Sequence, residues 1–422
     1  MKILIAHNTY QQRGGEDAVV DAEIALLRNY GNEVATYRRH NDELHTMSQA
    51  GAALSTVWSQ RSSSQIEQIC KNFKPDLIHV HNTFPLISPS LFWMASRSKI
   101  PIVQTLHNFR LLCVQAIFLR NGKVCEDCLG KLPWRAVVRK CYRDSALQSA
   151  VAVGMLGTHR MIGTYRERVT LYIALNAFCR DKYIQGGLPA DRFRIKPNFV
   201  VSTELPLWKG RSGGLFVGRL SSEKGLDVLM DALKIRDTTH VEIIGKGQLE
   251  CQAKAFFGER YLGNRSLDEI LAKMGSAQFL VLPSICYENS PRTIVEAFSC
   301  GLPVIASRLG ALVDIIQDGV TGILFNPGDA SDLAEKIAWA ESHTEEMLKM
   351  GQAARIEYEK KYTPERNYQM LADIYEEAIM AIQNENSHLC NQVSLGEALP
   401  IGRPQERAPE GVLNQEPMSN DH

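Results

Sequence analysis

The residues from Pro283 to Ser307 read PSICYENSPRTIVEAFSCGLPVIAS and carry the densest chemistry in the chain. An apolar run ends near Pro283, and a loop with Glu288 follows. Asn289 or Ser290 then caps a helix whose first position is Pro291, a residue favoured there because its missing N–H is no loss. Gly301 and Pro303 stop that helix near Cys300. A helix start offers unpaired N–H groups and a partial positive charge, which together form a seat for phosphate. Glu288 lies in the loop and Glu296 two turns into the helix. The two carboxylates can hold different hydroxyls of a ligand whose phosphates rest between them. Two glutamates alone would equally suit an ordinary capped helix.

Three other groups could do chemistry. Cys113, Cys125, Cys128 and Cys141 are spaced C-x11-C-x2-C-x12-C, with an Asn121-Gly122 turn inside. A C-x2-C pair can grip one metal, and four thiolates complete a structural tetrahedral zinc site. Four reduced thiols in a loop are the alternative. Lys131, Arg135, Arg139 and Arg143 recur every four positions, one face of a helix, with Trp134, Val138 and Cys141 on another. That face suits anionic lipid, an acceptor's phosphate or plain solvent. Gly14 and Gly15 follow the first apolar run and open a helix, where a backbone without side chains admits a ligand closely. They do not form G-x-G-x-x-G, so no dinucleotide fingerprint is present.

The segment E-N-S-P-x4-E-A-F-x2-G-x-P-V-I-A-S resembles the E-x7-E signature of retaining glycosyltransferases of family 4. Val217 to Gly225, VGRLSSEKG, is similar to the same family's G-R-L-x-x-E-K-G segment, and Asp318 to Gly322 to its D-G-x-x-G turn. The resemblance runs in order through about residues 1 to 380. It implies a GT-B fold, two doubly wound Rossmann-like α/β domains facing a central cleft. It implies transfer of a sugar from a UDP- or GDP-sugar to a polysaccharide or lipid-linked glycan, with retention of anomeric configuration. Arg219 and Lys224 then bind the donor diphosphate, Glu288 contacts the transferred sugar, and Glu296 binds ribose hydroxyls. Asn289, Ser290 and Pro291 form the phosphate-facing turn. Gly14 and Gly15 match the glycine loop facing the cleft, and His107 a histidine near the sugar. Asn108 stands where an aspartate is common in the family. Some members carry a similar cysteine-rich insertion. Charge develops on the leaving diphosphate as its bond to the sugar breaks, and two cations beside a helix start stabilise that charge most in the transition state. No Asp-x-Asp motif is present, so no catalytic divalent ion or other cofactor is expected. A phosphorylase or epimerase of the same architecture, or a catalytically inactive protein that binds nucleotide-sugars or a partner, remains as an alternative.

These residues need scaffolds to hold them. Continuous runs at Lys2 to His7, Glu33 to Tyr37, Asp76 to His81, Pro101 to His107 and Leu171 to Leu175 suit strands buried on both faces. His79 and His81 alternate on one of them, His79 reading as core. The pattern restarts at Leu215 to Leu220, Val241 to Ile244, Gln278 to Leu282, Pro303 to Ser307 and Gly322 to Phe325. The expected organisation is an N-terminal acceptor-side domain over residues 1–200, with a cysteine-rich insertion at 108–145. A nucleotide-sugar-binding domain follows at 208–364. A helix at 365–382 returns to the first domain, and a polar, proline-containing tail at 383–422 is expected to be disordered.

Composition narrows the partners. Lys plus Arg number 47 and Asp plus Glu 47, a formal net charge of zero, so no nucleic-acid partner is expected. The opening MKILIAHN has too short an apolar run for a secretory signal, and no stretch approaches the ~20 apolar residues of a spanning helix. The expectation is a cytoplasmic protein that meets a membrane, if at all, at its surface. Its ten cysteines then stay reduced, buried or metal-bound.

Overall fold

The protein is described by a computed structural model over residues 1–11, 14–202, 206–236 and 240–395, the side chains of 385–395 excepted. Val-, Ile- and Leu-rich runs without polar alternation suit strands of a sheet covered on both faces. Two such sheets result. The strands of the N-terminal half are β1 (Lys2–Thr9), β2 (Glu33–His40), β3 (Leu77–Val80) and β4 (Ile102–Thr105). A two-stranded hairpin, β5 (Leu119–Arg120) and β6 (Lys123–Val124), interrupts them before β7 (Leu171–Ala174) and β8 (Phe193–Ile195). The C-terminal half contributes β9 (Gly214–Val217), β10 (Val241–Ile244), β11 (Tyr261–Gly263), β12 (Phe279–Leu282), β13 (Val304–Ser307) and β14 (Gly322–Phe325).

The first sheet runs β2-β1-β3-β4-β7-β8 and the second β11-β10-β9-β12-β13-β14. Each neighbouring pair in both sheets is parallel. Counted within its own half, the second sheet has the 3-2-1-4-5-6 order of a Rossmann unit. The chain therefore folds as two Rossmann-like domains with a cleft between them, the GT-B arrangement. In such sheets ligands bind beyond the carboxyl ends of the strands, where the strand order reverses. Here those places follow β1 and β3 in one half, and β9 and β12 in the other.

Apolar faces of the helices cover both sheets. Leu226, Leu229 and Leu233 of the helix Leu226–Ile235 pack with Phe216, Val241 and Val281. The helix Pro364–Leu395 lays Leu371, Ile374, Tyr375 and Ala378 against Ile3, Ile5, Val20 and Leu77 of the N-terminal half. It runs beyond the 365–382 read from the sequence, and residues 396–422 of the expected disordered tail lie outside the described residues. Among the described residues no helix is long and apolar enough to cross a membrane.

Two local expectations are corrected. The helix of the E-N-S-P segment is Arg292–Ser299, with Pro291 at its cap rather than at its first position. Pro291 has ψ 115°, an extended conformation that cannot start a helical turn, so the helix is about 12 Å long. The basic repeat does not lie on one helix either. Only Arg135–Val138 is helical, and Lys140, Arg143 and Asp144 all take positive φ, which breaks the helical path. The edge strands β8 and β11, three residues each, went unread because Phe193–Ile195 and Tyr261–Gly263 are too short to show a period. The Asn121-Gly122 turn does join β5 to β6, with both residues at positive φ as a tight hairpin requires.

Candidate active site

Lys224 and Glu288 meet at the switch point of the second sheet. Lys224 ends a short 3-10 turn after β9, and Glu288 lies in the loop after β12. Their register is enforced by packing. A Cβ on Gly225 would stand 1.8 Å from the Pro283 carbonyl oxygen, so only glycine lets the two loops touch, and its φ of +72° suits no other residue well. The Ile285 amide donates to the Glu223 carbonyl at 3.1 Å. The Lys224 ammonium then donates to Glu288 Oε1 at 2.6 Å, and the Ser284 hydroxyl donates to the same oxygen at 2.6 Å. Burial alone would raise the Glu288 carboxyl. The charge and hydrogen bond of Lys224, the Ser284 hydroxyl and the Arg219 charge outweigh it and hold the group below its ordinary value. Burial likewise opposes the Lys224 charge, and Glu288 more than restores it. Arg219 is largely exposed and pairs with Glu223 at 3.1 Å, leaving its guanidinium open towards solvent.

Glu296 sits one turn into the helix Arg292–Ser299 and is buried, with Arg292 Nε 3.0 Å from Oε1. Burial raises its carboxyl despite the arginine. Asn289 and Ser290 do not act as helix caps. The Asn289 amide donates to the Leu106 carbonyl of the opposite half at 2.7 Å, and its side-chain oxygen accepts from the Cys179 thiol at 3.1 Å. Its carbonyl accepts from Asn176, and the Ser290 carbonyl accepts from Asn198 at 3.3 Å. Asn289 thus ties the residue after Glu288 to the residue before His107. None of Asn176, Cys179 or Asn198 stood out in the sequence, because an amide and a thiol used across a cleft leave no spacing signature.

In the N-terminal half, His107 follows β4 and stacks on His81, with His107 Nε2 2.9 Å from His81 Nδ1. Burial, reinforced by the nearby His7 and Lys196 charges, lowers His107 to about 3, so the imidazole is neutral at physiological pH. It lines a cavity of about 40 Å³ together with His81, Asn108, Arg110 and Glu16. Glu16 was not singled out from the sequence, although it directly follows Gly14 and Gly15. Tyr10 donates to its Oε2 at 3.0 Å and the Asn108 amide at 3.3 Å, while Oε1 is buried with no hydrogen-bond partner among the described residues. The Asn108 substitution has a physical reason here: an aspartate would face the Glu16 carboxylate, whereas the amide donates to it. Gly14 has φ −111°, open to any residue, and a Cβ on Gly15 would meet nothing within 4 Å among the described residues. Neither backbone strain nor packing therefore requires the two glycines.

The four cysteines lie around the β5–β6 hairpin, all half-buried and none in a disulfide. They are near one another. Burial lifts the Cys128 thiol to about 11, and Cys113, Cys141 and Cys125 add to the effect. Among the described residues, the potential metal-ligand group whose atoms all lie within 4.8 Å of one another is a different one, Glu23, His79 and His81. The Lys196 ammonium bonds that glutamate at 2.9 Å. The two ring nitrogens of His79 meet the Tyr375 and Thr105 hydroxyls at 2.7 and 2.8 Å. The cation placed against Glu23 is thus a lysine.

Comparison with known proteins follows the two halves. Residues 34–204 match the model of Glycosyltransferase Family 4, and residues 209–357 that of Glycosyl transferases group 1. An uncharacterised glycosyltransferase of Methanocaldococcus jannaschii is 35% identical over 170 residues, 39% of this chain and 48% of that protein. A sulfoquinovosyl transferase of Arabidopsis thaliana is 27% identical over 373 residues, 80% of this chain and 66% of that one. The chain therefore spans about half to two thirds of the length of these relatives. Among solved structures, sucrose-phosphate synthase from Thermosynechococcus elongatus superposes with TM-score 0.66 at 16% identity, covering 90% of this chain and 99% of that one. Anabaena HepE, solved in complex with UDP-glucose, superposes with TM-score 0.60 at 18% identity, covering 89% and 100%. These two likenesses are likenesses of fold.

Proposed function

The chain is a GT-B relative of the family 4 and group 1 glycosyltransferases, and from that premise we propose that it transfers a sugar from a nucleotide diphosphate sugar to a glycan hydroxyl with retention of configuration. The observation that carries this reading is the meeting of Lys224 with Glu288 beside the start of the helix Arg292–Ser299, with Arg219 close by. In this reading the donor diphosphate lies between the two cations and the open N–H groups of that helix, where leaving-group charge is best stabilised. Glu288 holds hydroxyls of the transferred sugar, Glu296 those of the ribose, and neutral His107 faces the sugar from the other half. Asn289, Ser290 and Pro291 shape the phosphate-facing turn, and Gly14 and Gly15 leave room for the ligand.

The step is a same-face substitution. The bond from the sugar's anomeric carbon to the diphosphate oxygen breaks, giving an oxocarbenium-like state. The acceptor oxygen then bonds to that carbon, and its proton passes to the departing phosphate oxygen. No residue is needed as a covalent nucleophile. The acceptor is a polysaccharide or lipid-linked glycan, met at the cytoplasmic face of a membrane. A thermal-shift panel of UDP- and GDP-sugars, with UDP-glucose first, tests the donor site. One nucleotide series is expected to stabilise the chain by about 2.7 kcal/mol at a hundredfold excess over its dissociation constant. A flat panel, with no sugar transfer or donor hydrolysis, would defeat the reading.

The cysteine quartet belongs to a separate proposal of a structural zinc site. The C-x2-C pair supports it, although among the described residues no three of the four sulfurs lie within 4.8 Å of one another. Zinc at ~2.3 Å from each sulfur would draw them to ~3.8 Å from one another. Metal analysis of the purified chain is expected to give roughly one zinc per chain, and less than about half an equivalent would refute a closed four-thiolate site.

A further inference from the structure

The cysteine-rich insertion presents a surface that sugar transfer does not use. Leu132, Trp134 and Val138 expose 57%, 57% and 73% of their area. This segment is fixed rather than loose. Ala136 is buried with Ala152, Met155 and Leu156 of the helix Ala146–Met161. Leu132 lies over Gly157, its Cδ1 3.7 Å from where a Cβ would stand. The Arg160 guanidinium donates to the Lys131 carbonyl at 2.7 Å. On the helix itself Leu147 and Met161 expose 64% and 78%. They lie fourteen positions apart, close to four whole turns, and so fall on one line along it.

The charge around these apolar groups has one sign. From Leu129 to Arg143 the sequence has five basic residues and no acidic one. Arg139 is taken by Asp127. Lys131, Arg135, Lys140 and Arg143 are exposed, and among the described residues none of their side chains is paired with a carboxylate. Arg135 and Arg143 instead lie over the rings of Trp134 and Tyr142, at 5.7 and 5.4 Å. Single exposed apolar side chains need no explanation, but three within seven residues, one a tryptophan, interspersed with cations that have no carboxylate partner among the described residues, do.

We propose that this face docks on an anionic lipid surface, Leu132, Trp134 and Val138 entering the headgroup boundary and Lys131, Arg135, Lys140 and Arg143 meeting lipid phosphates. The combination matches what an interfacial element needs: a shallow apolar wedge, an aromatic ring at headgroup level, and cations to neutralise the leaflet. The inference deepens the membrane-side reading of the acceptor and rests on it for its purpose. Its test uses neither donor nor acceptor, so the two fail separately.

The full chain is mixed with phosphatidylcholine vesicles, with and without phosphatidylglycerol, and bound protein is read by flotation. Binding is expected only to the phosphatidylglycerol vesicles, and should weaken as salt screens the charge. A Lys131→Gln, Arg135→Gln double variant should bind roughly 25-fold more weakly, since each cation near such a surface contributes about fivefold. A Trp134→Ser, Val138→Ser variant should lose binding while its melting temperature stays put, because both side chains are exposed. Equal binding to both vesicle types, no binding at low salt, or unchanged binding by both variants would overturn the proposal. So would self-association of the chain that both variants abolish.

Discussion

Glu288→Gln is expected to lower turnover by about 100-fold while donor affinity stays within a few-fold, as lost charge-assisted hydrogen bonds of roughly 1.5–3 kcal/mol imply. The amide keeps the volume and one acceptor oxygen, so the loop after β12 and its bond from Ser284 can persist. What goes is the negative charge facing Lys224 and the developing oxocarbenium. On the proposed reading, ground-state binding is anchored elsewhere, on the diphosphate cations and the ribose carboxylate. The loss should therefore appear in kcat and far less in KM. Lys224→Met removes the other end of the same 2.6 Å pair and should also cut turnover, through the leaving group. The two losses should be strongly non-additive, because each single change already breaks the pair. A Glu288→Gln enzyme within about fivefold of normal turnover would move the sugar away from this carboxylate.

The pair also bears on pH. Glu288 is held below, and Lys224 above, their ordinary values, so both stay charged through the neutral range. Neutral His107, lowered to about 3, does not titrate there either. An activity limb near neutrality must come from another group. Glu16 is one such titratable group in the cavity beside His107, and burial raises its carboxyl above the ordinary value.

How much of this was readable depended on how local each signal was. The loops after β9 and β12 announce themselves because glycine, proline and charge sit at fixed short spacings: Gly225 must be glycine for the loops to touch, and Pro291 must precede the helix. The central strands were equally plain, since burial on both faces leaves an unbroken apolar run. The helical reading of Lys131 to Arg143 failed on backbone conformation. A four-residue period says nothing of the positive φ at Lys140 and Arg143. The contacts of Asn289, the nearness of Glu16 to Asn108 and the stacking of His81 on His107 join residues 26 to 183 positions apart. Only the closed fold brings them together, and no local pattern encodes them.

Lys196 is the extreme case of such a hidden contact, and Lys196→Met is expected to destabilise the chain by about 3–5 kcal/mol, a large part of a typical 5–15 kcal/mol. Its side chain is 1% exposed, follows β8, and bonds Glu23 of the first helix at 2.9 Å and Asn367 of the last helix at 3.0 Å. One ammonium thus joins the first and last helices to the segment that follows β8. Burial would raise the Glu23 carboxyl, but the Lys196 charge, with His79 behind it, holds it well below its ordinary value. That stability is present above the unfolded carboxylate value of about 4.3, and is lost only as pH falls through the lower folded value. Removing the lysine reverses the sign. Burial then dominates, the folded value rises, and stability falls as pH increases from about 4.3 through that raised value. Denaturant midpoints measured at pH 5 and pH 8 should therefore separate the two proteins more at pH 8. Adding Glu23→Leu to Lys196→Met should recover much of the loss, since an apolar pair leaves no buried charge unpaired. A single variant that melts like the parent at both values would mean that the ammonium contributes no net stability, and that apolar packing alone holds the last helix to the first.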